Sequence, residues 1–292
     1  MNAPQFPPTE LIITDKQRVY HLDIDESFVA DDVILVGDQG RVAEISAHFS
    51  KIDCKAQHRE FVTHTGWYNG KRVTVISSGI GTDNIDIVLN ELDAAVNIDL
   101  ATRTEKSNKR SLNIVRLGTS GSLQADIPVD GLVVSEYGLG LDGLLNYYAD
   151  WKKVNEDGIS ESFMKHTDWT PNLPYPYCVK ADETLYNKFV KGNYHGITAT
   201  APGFYGPQGR QLRLKAAKPD LNELLTSFNG GGHRISNFEM ETSALYGLGK
   251  LLGHKPLTVC VIIANRVVKQ FTANYKKSVE LLIEQSLQRL TQ

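Results

Sequence analysis

Two carboxylates lie close together at the start of a predicted helix, within residues 237–241 (Asn-Phe-Glu-Met-Glu). Apolar residues follow at helical spacing and Gly253 ends that pattern, so the acidic pair precedes or opens the helix. An acid near a helix N-terminus complements the helix dipole, which explains a single glutamate well. A carboxylate can also accept hydrogen bonds from the two neighbouring hydroxyls of a sugar diol. Glu239 and Glu241 are therefore candidate sugar-binding residues, with a helix-start role as the alternative.

Two glycine-containing segments that each carry an arginine follow predicted strands, at residues 37–41 (Gly-Asp-Gln-Gly-Arg) and 116–121 (Arg-Leu-Gly-Thr-Ser-Gly). Backbone N–H groups, hydroxyls and guanidinium groups are together what a phosphate needs. Arg41 and Arg116 are thus candidate phosphate ligands, although glycine after a strand also serves the backbone alone. Arg59 is a third candidate, for which a salt bridge with a neighbouring acid is the alternative.

A third segment, residues 204–210 (Phe-Tyr-Gly-Pro-Gln-Gly-Arg), follows a strand-like run at 196–200. If this segment is extended, Gln208 and Arg210 lie on one side of it. A side-chain amide donates and accepts at once, so it can meet the adjacent carbonyl and N–H groups of a pyrimidine edge. Arg210 could then hold a carbonyl oxygen of that base. A solvated loop is the alternative that composition alone favours.

The elements that position these side chains form an alternating pattern. Apolar runs that predict buried strands occur at residues 33–37, 73–77, 114–118 and 257–264. Amphipathic helices lie between them, of which one begins at Thr82 or Asp83 and another ends the chain. The pattern predicts a single α/β domain over residues 1–292, a three-layer sandwich with a central mixed sheet. Ligands of open α/β sheets bind at the carboxyl ends of strands, where the candidate segments lie.

Residues 141–178 interrupt this alternation, because they are rich in Tyr, Trp, Pro and charged residues. We expect a long loop or insertion in this region. Loops of this length in compact domains serve as lids, interface arms or mobile segments, and the sequence leaves these three alternatives open.

Composition narrows the function classes. The 292 residues are 41% hydrophobic, which suffices for one large domain, and the net charge of -3 with scattered basic residues disfavours nucleic acid and anionic membranes. The 3 cysteines form no CxxC pair and the 8 histidines no HExxH pattern, so neither a disulfide framework nor a metal site is expected. No targeting signal or membrane-spanning run is apparent, and we expect a cytoplasmic protein.

Taken together, the motifs resemble those of the nucleoside phosphorylase family, and in particular its uridine-cleaving members, over nearly the whole chain. Each motif is weak alone, but the ordered set is specific. The matching stretches are residues 20–22, 37–42, 58–61, 78–81, 116–121, 208–210, 237–241 and 265–266. The resemblance implies a nucleoside phosphorylase/hydrolase-like fold and a pentosyltransferase of pyrimidine salvage. The implied reaction is reversible phosphorolysis of uridine to uracil and ribose 1-phosphate, with deoxyuridine, which would give deoxyribose 1-phosphate, left open as a further substrate. Inorganic phosphate is then the co-substrate, with no cofactor and no metal.

The resemblance also implies a role for each matching residue. The implied phosphate ligands are Gly37, Arg41, Arg59, Arg116 and Thr119. The implied ribose ligands are His21, Glu239, Met240 and Glu241. The implied base ligands are Phe204, Gln208, Arg210 and Arg266. Catalysis is assigned to Arg41, Arg116, Arg210 and Glu241. Because Arg59 and His21 reach the site of a neighbouring subunit in this family, a homodimer is the expected minimal active unit, with a homohexamer as the alternative assembly.

Two departures from the family pattern bear on substrate and assembly. Purine-cleaving members carry an aspartate near the end of the last strand, whereas residues 262–266 (Ile-Ile-Ala-Asn-Arg) contain no acid, which favours a pyrimidine. The loop at residues 81–84 (Gly-Thr-Asp-Asn) lacks the Gly-Pro-Ser ending of some bacterial members, so a monovalent cation between subunits is not implied. The alternatives are a purine nucleoside phosphorylase, a nucleoside hydrolase and a nucleoside-binding protein without catalysis. A hydrolase has no need for Arg41 and Arg116 together.

Overall fold

The computed structural model describes residues 5–292, which form an α/β fold. The strands are β1 Asp32–Val36, β2 Lys51–His58, β3 Phe61–Tyr68, β4 Lys71–Ser77, β5 Ile98–Asp99, β6 Thr104–Glu105, β7 Asn113–Ser122, β8 Leu132–Gly140, β9 Tyr177–Lys180, β10 Tyr194–Thr200, β11 Asn229–Gly230, β12 His233–Glu239, β13 Lys255–Asn265 and β14 Gln270–Phe271. The α-helices are α1 Gln39–Ser46, α2 Thr82–Asn97, α3 Asp157–Thr167, α4 Glu183–Val190, α5 Leu221–Ser227, α6 Thr242–Leu251 and α7 Tyr275–Thr291. Short 3-10 helices span Glu26–Phe28, Leu144–Tyr147, Trp151–Lys153 and Gly206–Gln208.

A 12-stranded sheet with parallel and antiparallel pairs forms the centre of the fold. Its order is β11-β12-β10-β8-β13-β7-β1-β4-β3-β2, with β9 and β14 at its margins. Strand β12 also pairs with β7, so that β7, β12, β10, β8 and β13 close into a ring. The predicted α/β sandwich with a central mixed sheet is confirmed.

The predicted central strands lie where their apolar sequences require. Strand β1 runs between β4 and β7, parallel to both, and Val33–Val36 is fully buried. Such burial on both faces explains a run of apolar residues without alternation. Strand β7 is longer than the apolar run at 114–118, because it pairs with β13 as far as Ser122. Thr119 therefore lies inside a strand and not in the loop that the sequence predicts.

Helices pack on the sheet with the predicted apolar faces inward. Helix α2 buries its stripe and packs against α6, and α7 packs on β13 and β7. Helix α2 begins at Thr82, as predicted, but its N-cap residue is Gly81, with a φ of 97° and no side-chain capping bond. Within residues 5–292, no helix is both long and apolar enough to cross a membrane.

Residues 141–178 contain regular structure, namely two of the short 3-10 helices and α3. The two ends of this segment meet at the start of α6. The Asp142 carboxylate accepts hydrogen bonds from the Tyr177 hydroxyl at 2.8 Å and from the Ser243 hydroxyl at 2.9 Å. Burial raises the pKa of Asp142. The segment is thus anchored at both ends to the helix that follows the acidic pair.

Candidate active site

Arg116 lies between the two glutamates of the acidic pair. Its Nη1 is 3.1 Å from a Glu239 oxygen, and its Nη2 donates to the Glu241 carboxylate. Each of the three residues is only 4% exposed, so these charges interact in a dry environment where ion pairs are strong. Burial raises the pKa of Glu241 to about 6, although Arg116 opposes this shift. Burial alone would lower the pKa of Arg116, but Glu241 and Glu239 together raise it.

The Glu239 carboxylate accepts hydrogen bonds from the start of α6 and from the end of β10. Its oxygens accept from the backbone N–H groups of Glu241 at 3.0 Å and Thr242 at 3.1 Å, which are free donors at the start of α6. The Thr200 hydroxyl, at the end of β10, donates to it at 2.8 Å. These contacts favour the helix-start alternative for Glu239. The sequence patterns do not identify Thr200 as a site residue, although its position at the carboxyl end of a predicted strand is one where such residues are expected.

Glu241 connects the pair to a second helix. One of its oxygens accepts from the backbone N–H of Gly81 at 2.8 Å, at the start of α2, while the other faces Arg116. A carboxylate at a helix N-terminus is stabilised by the helix dipole. Met240, between the two glutamates, is half-buried. Glu241 is therefore held in place by two donors that come from different parts of the chain.

Arg116 is itself held by close neighbours. Its Nη1 lies 3.7 Å from the Cys260 sulfur, and burial raises the pKa of that thiol to about 12. Its Nε is buried and has no hydrogen-bond partner within residues 5–292. A buried donor without a partner is costly, so a bound ligand that accepts this hydrogen bond would be favoured.

Arg41 is the buried cation of the site that has no acid beside it. It is 5% exposed, its Nη1 donates to the Leu117 carbonyl at 3.3 Å, and its Nη2 donates to the Tyr275 hydroxyl at 2.7 Å. No carboxylate lies within ion-pair distance in the described part of the chain. The segment at 37–41 is not a loop throughout, since Asp38 caps α1 and Arg41 lies in the first turn of that helix.

The remaining predicted phosphate ligands of this subunit lie on the neighbouring strand ends. Gly37 directly follows β1, and a Cβ atom at this position would lie 3.3 Å from the Gly79 carbonyl oxygen. Glycine thus permits the close approach of these two loops. Thr119 is half-buried on β7, three positions beyond Arg116.

Gln208 and Arg210 lie together, as predicted, but through a turn and not along an extended strand. Gln208 ends a short 3-10 helix, and Gly209 adopts a φ of 69°. Arg210 Nη1 donates to Gln208 Oε1 at 2.5 Å and to the Phe204 carbonyl at 2.6 Å. Its guanidinium carbon lies 3.7 Å from the centre of the Phe204 ring, a cation–π contact. Burial lowers the pKa of Arg210.

Arg266 lies beside the residues that are predicted to bind the base. Together with Asn222 they form a group that we name the base cluster, namely Phe204, Gln208, Arg210, Asn222 and Arg266. Arg266 Nη1 donates to the Gln208 carbonyl at 2.7 Å and to Asn222 Oδ1 at 3.1 Å. Burial lowers the pKa of Arg266 to about 10, and the nearby Arg210 adds to this effect. All these acceptors are neutral. Asn222, on α5, carries no sequence signal of a role in the site.

The base cluster adjoins the acidic pair. The Arg266 guanidinium lies 5.8 Å from the ring centre of Phe238, the residue before Glu239, and Phe238 pairs with Gly121 of β7. Arg210 of the base cluster also borders a cavity of about 760 Å³. This cavity is mostly apolar and lies between Trp169 of the 141–178 segment and residues 202–221.

His21 and Arg59 lie together but contact neither Arg116 nor Glu241 of the same chain. His21 Nδ1 is 2.6 Å from a Glu91 oxygen, and the His21 carbonyl is 3.2 Å from His58 Nδ1. Arg59 is exposed in the β2–β3 turn, where its guanidinium lies 5.8 Å from the Tyr20 ring centre. Among residues 5–292 it forms no salt bridge, which was the alternative to a ligand role.

The arrangement brings together three kinds of ligand-binding group. Its parts are a buried guanidinium without a counter-charge, a carboxylate held rigidly beside a second guanidinium, and a cationic cluster with an amide. Over the described residues, no group of three or more His, Cys, Asp or Glu side chains is arranged to hold a metal ion. These groups suit an anion, a hydroxylated ligand and a ligand with carbonyl oxygens, in that order across the sheet edge.

Comparisons with known proteins identify relatives over nearly the whole chain. A uridine phosphorylase from Thermococcus kodakarensis is 30% identical over an alignment of 295 positions, which covers 99% of this chain and 92% of the relative. A purine nucleoside phosphorylase of the DeoD type from Caldanaerobacter subterraneus is 26% identical over 257 residues, 87% of this chain and 90% of that one. A crystal structure of a Trypanosoma brucei nucleoside phosphorylase that shows uridine phosphorylase activity has a TM-score of 0.83 at 30% identity, covering 96% of this chain and 99% of the other. The Phosphorylase superfamily model matches residues 31–290, and the chain therefore belongs to this superfamily.

Proposed function

We propose that the protein is a uridine phosphorylase, which cleaves uridine with inorganic phosphate to uracil and ribose 1-phosphate. The observation that carries the proposal is Arg41, a buried guanidinium with no acid beside it, which donates to the Leu117 carbonyl of β7, the strand that holds Arg116. A buried cation without a counter-charge is costly and favours an anionic ligand. A hydrolase, which uses water, needs no such group.

In this mechanism, phosphate attacks the anomeric carbon of the ribose. The glycosidic bond to the base breaks, its electron pair leaves with the uracil, and the sugar passes through a state with oxocarbenium character. The phosphate dianion on Arg41 stabilises this positive charge more than the neutral ground state. Glu241 holds the ribose hydroxyls so that the nucleophile is in line, an effect of orientation. Inorganic phosphate is the co-substrate, and the reaction uses no other cofactor.

The base cluster supports a pyrimidine as leaving group. Arg210 and Arg266 have only neutral acceptors, so the cluster favours negative charge that develops on the uracil oxygens. Gln208 meets the carbonyl and N–H edge of the base, and Phe204 packs on its ring.

Asn265 favours cleavage of a pyrimidine nucleoside over cleavage of a purine nucleoside. It ends β13, where both of its side-chain atoms are engaged by the backbone. Its Nδ2 donates to the carbonyls of Gln124 and Ile127 at 2.9 Å, and its Oδ1 accepts from the N–H of Val267 at 3.0 Å. A neutral amide that is fully used in this way offers no acid to a purine ring nitrogen.

Two further parts of the proposal concern assembly and compartment. A homodimer is the minimal active unit, in which Arg59 and His21 of one subunit complete the site of the other. Within residues 5–292 of one chain, neither residue contacts Arg116, which supports this assembly. The protein acts in the cytoplasm, which the free cysteines at 54, 178 and 260 support.

The test is release of the free base, measured with and without phosphate, from uridine, deoxyuridine, thymidine, cytidine and inosine. We expect release from uridine that requires phosphate. Release that ignores phosphate would indicate a hydrolase, and faster cleavage of inosine would indicate a purine enzyme. Uridine binding without turnover in either condition would leave a binding protein.

A further inference from the structure

Arg41 is held by a residue from the opposite end of the chain, Tyr275, which is the first residue of α7. The Tyr275 hydroxyl lies 2.7 Å from Arg41 Nη2. No sequence motif relates these two residues, which are 234 positions apart. The C-terminal helix therefore begins at the proposed phosphate site.

The direction of this hydrogen bond leaves the phenol with a free donor. A guanidinium group can only donate, so the Tyr275 oxygen must accept. The phenolic O–H proton is then available for another acceptor, and within residues 5–292 the Tyr275 hydroxyl makes no second hydrogen bond. A donor that lies beside a buried, uncompensated guanidinium is suited to the same anion.

The start of α7 adds to this preference. Tyr275 opens a helix of 17 residues, and Asn274 caps it by accepting from the Lys277 N–H at 3.2 Å. The partial positive charge of a helix N-terminus favours an anion nearby. Tyr275 also borders a groove of about 320 Å³ between α1 and α7, whose lining includes Glu44, Glu280, His48 and Lys276. The groove thus carries two acids and one lysine, whereas the other side of the phenol faces the Arg41 guanidinium, which has no acid beside it. An anion is therefore favoured on the Arg41 side.

We propose that Tyr275 is a further phosphate-binding residue, which donates its O–H to phosphate while its oxygen fixes the Arg41 guanidinium. This inference rests on the proposed function of the site and extends it to the C-terminal helix. It predicts that the hydroxyl affects phosphate and not the nucleoside.

The test compares the wild-type protein with Tyr275→Phe, which removes the hydroxyl and keeps the ring. A hydrogen bond to a charged group contributes about 1.5 to 3 kcal/mol, so the Kd for inorganic phosphate should rise by about 10- to 100-fold in calorimetric titration. The KM for phosphate should rise in parallel, while the KM for uridine should change less than about twofold. Tyr148→Phe is the matched control, since that hydroxyl contacts Asp86 and Asn90 on α2 instead. It should leave the phosphate Kd unchanged.

The titration is done with and without uracil, and it requires no turnover. If the wild-type protein binds phosphate and Tyr275→Phe binds it equally well, the assignment of Tyr275 is wrong. A rise in both KM values together would also overturn it, because that result indicates a structural role. If phosphate binds and depends on Tyr275 but uridine is not cleaved, the inference stands and the proposed function fails. A wild-type protein that binds no phosphate overturns both.

Discussion

Gly118 lies directly against the guanidinium group of Arg116. A Cβ atom at this position would overlap Arg116 Nη1 and would lie 2.9 Å from its Cζ and 3.0 Å from the Cys260 sulfur. Gly118 is two residues beyond Arg116 on β7, so both side chains would share one face of the strand. The ion pairs of Arg116 with Glu239 and Glu241 therefore require glycine here.

Gly118→Ala should displace the Arg116 guanidinium and weaken its ion pairs with both glutamates. Since bonds to charged groups contribute about 1.5 to 3 kcal/mol, kcat/KM for uridine should fall by about 10- to 100-fold. Steady-state kinetics with saturating phosphate measures this. Gly158→Ala is the control, because a Cβ atom at Gly158 meets no atom within 4 Å. An unchanged kcat/KM in Gly118→Ala would contradict the role of Arg116.

Arg210→Ala should reduce uridine turnover far more than stability. Within residues 5–292, its side chain hydrogen-bonds only to the Phe204 carbonyl and to Gln208 in its own loop, so its loss removes a base contact and little of the core. We expect kcat/KM to fall by about 100-fold or more, with Tm almost unchanged. Arg213→Ala, in the same loop and outside the base cluster, is the matched control. A rate equal to the wild-type rate would remove Arg210 from the base site.

Asn222→Ala should weaken uridine binding through the residues that Asn222 positions. Its Oδ1 accepts from Arg266 and its Nδ2 donates to the Gln208 carbonyl at 3.3 Å. Loss of both contacts should raise the KM for uridine by about 10-fold, while the KM for phosphate stays within about twofold. Asn193→Ala, which removes a hydrogen bond to the Phe189 carbonyl at 2.9 Å, is the control. Equal effects on both KM values would indicate a general loss of structure instead.

The sequence predicts the fold well because the central strands are apolar on both faces. Val33–Val36 and the helical stripe of α2 could be read directly, since burial in the sheet or under a helix leaves a periodic pattern. Residues 141–178 carry no such signal, and α3 within them has Gly158 in its first turn. The ends of this segment are held by Asp142, Tyr177 and Ser243, whose contacts join distant parts of the chain.

The candidate site is predictable only where it carries family motifs. Arg116, Glu241, Gln208 and Arg210 belong to such motifs, and the structure brings the first pair and the second pair together. Tyr275 and Asn222 belong to none. Their side chains make hydrogen bonds across the tertiary fold, and such contacts leave no pattern in the local sequence.

His21→Ala should weaken the binding of ribosides that carry a 5'-hydroxyl more than the binding of those that lack it. The Glu91 carboxylate fixes His21 Nδ1, which leaves the other ring nitrogen to meet a ligand. We expect the KM for uridine to rise by about 5- to 10-fold and the KM for 5'-deoxyuridine to change little. Glu91→Gln is a useful companion variant, since it keeps the shape but weakens the hold on the ring. Equal losses on both nucleosides would count against the 5'-hydroxyl contact.

Glu241 should give uridine binding and protein stability opposite pH dependences. The ribose contact requires the carboxylate, so affinity for the nucleoside should increase as the pH rises through about 6, the pKa that burial gives Glu241. Folding raises this pKa from the ordinary value of 4.5, so protonation favours the folded state. That contribution to stability is fully present below about pH 4.5 and is lost as the pH rises through about 6.

Calorimetric titration with 5'-deoxyuridine from about pH 5 to about pH 8 measures the first dependence, because this ligand lacks the 5'-hydroxyl and no phosphate is present. Thermal unfolding over the same range measures the second. Glu241→Gln cannot titrate, so the contribution of Glu241 to both dependences should be absent in this variant, and its affinity for the nucleoside should be low at every pH. If the wild-type affinity does not change with pH while Glu241→Gln binds as tightly, Glu241 is not the ribose ligand. A single ionisation that strengthens binding while it weakens the fold is the behaviour expected of a buried carboxylate kept for its contact with substrate.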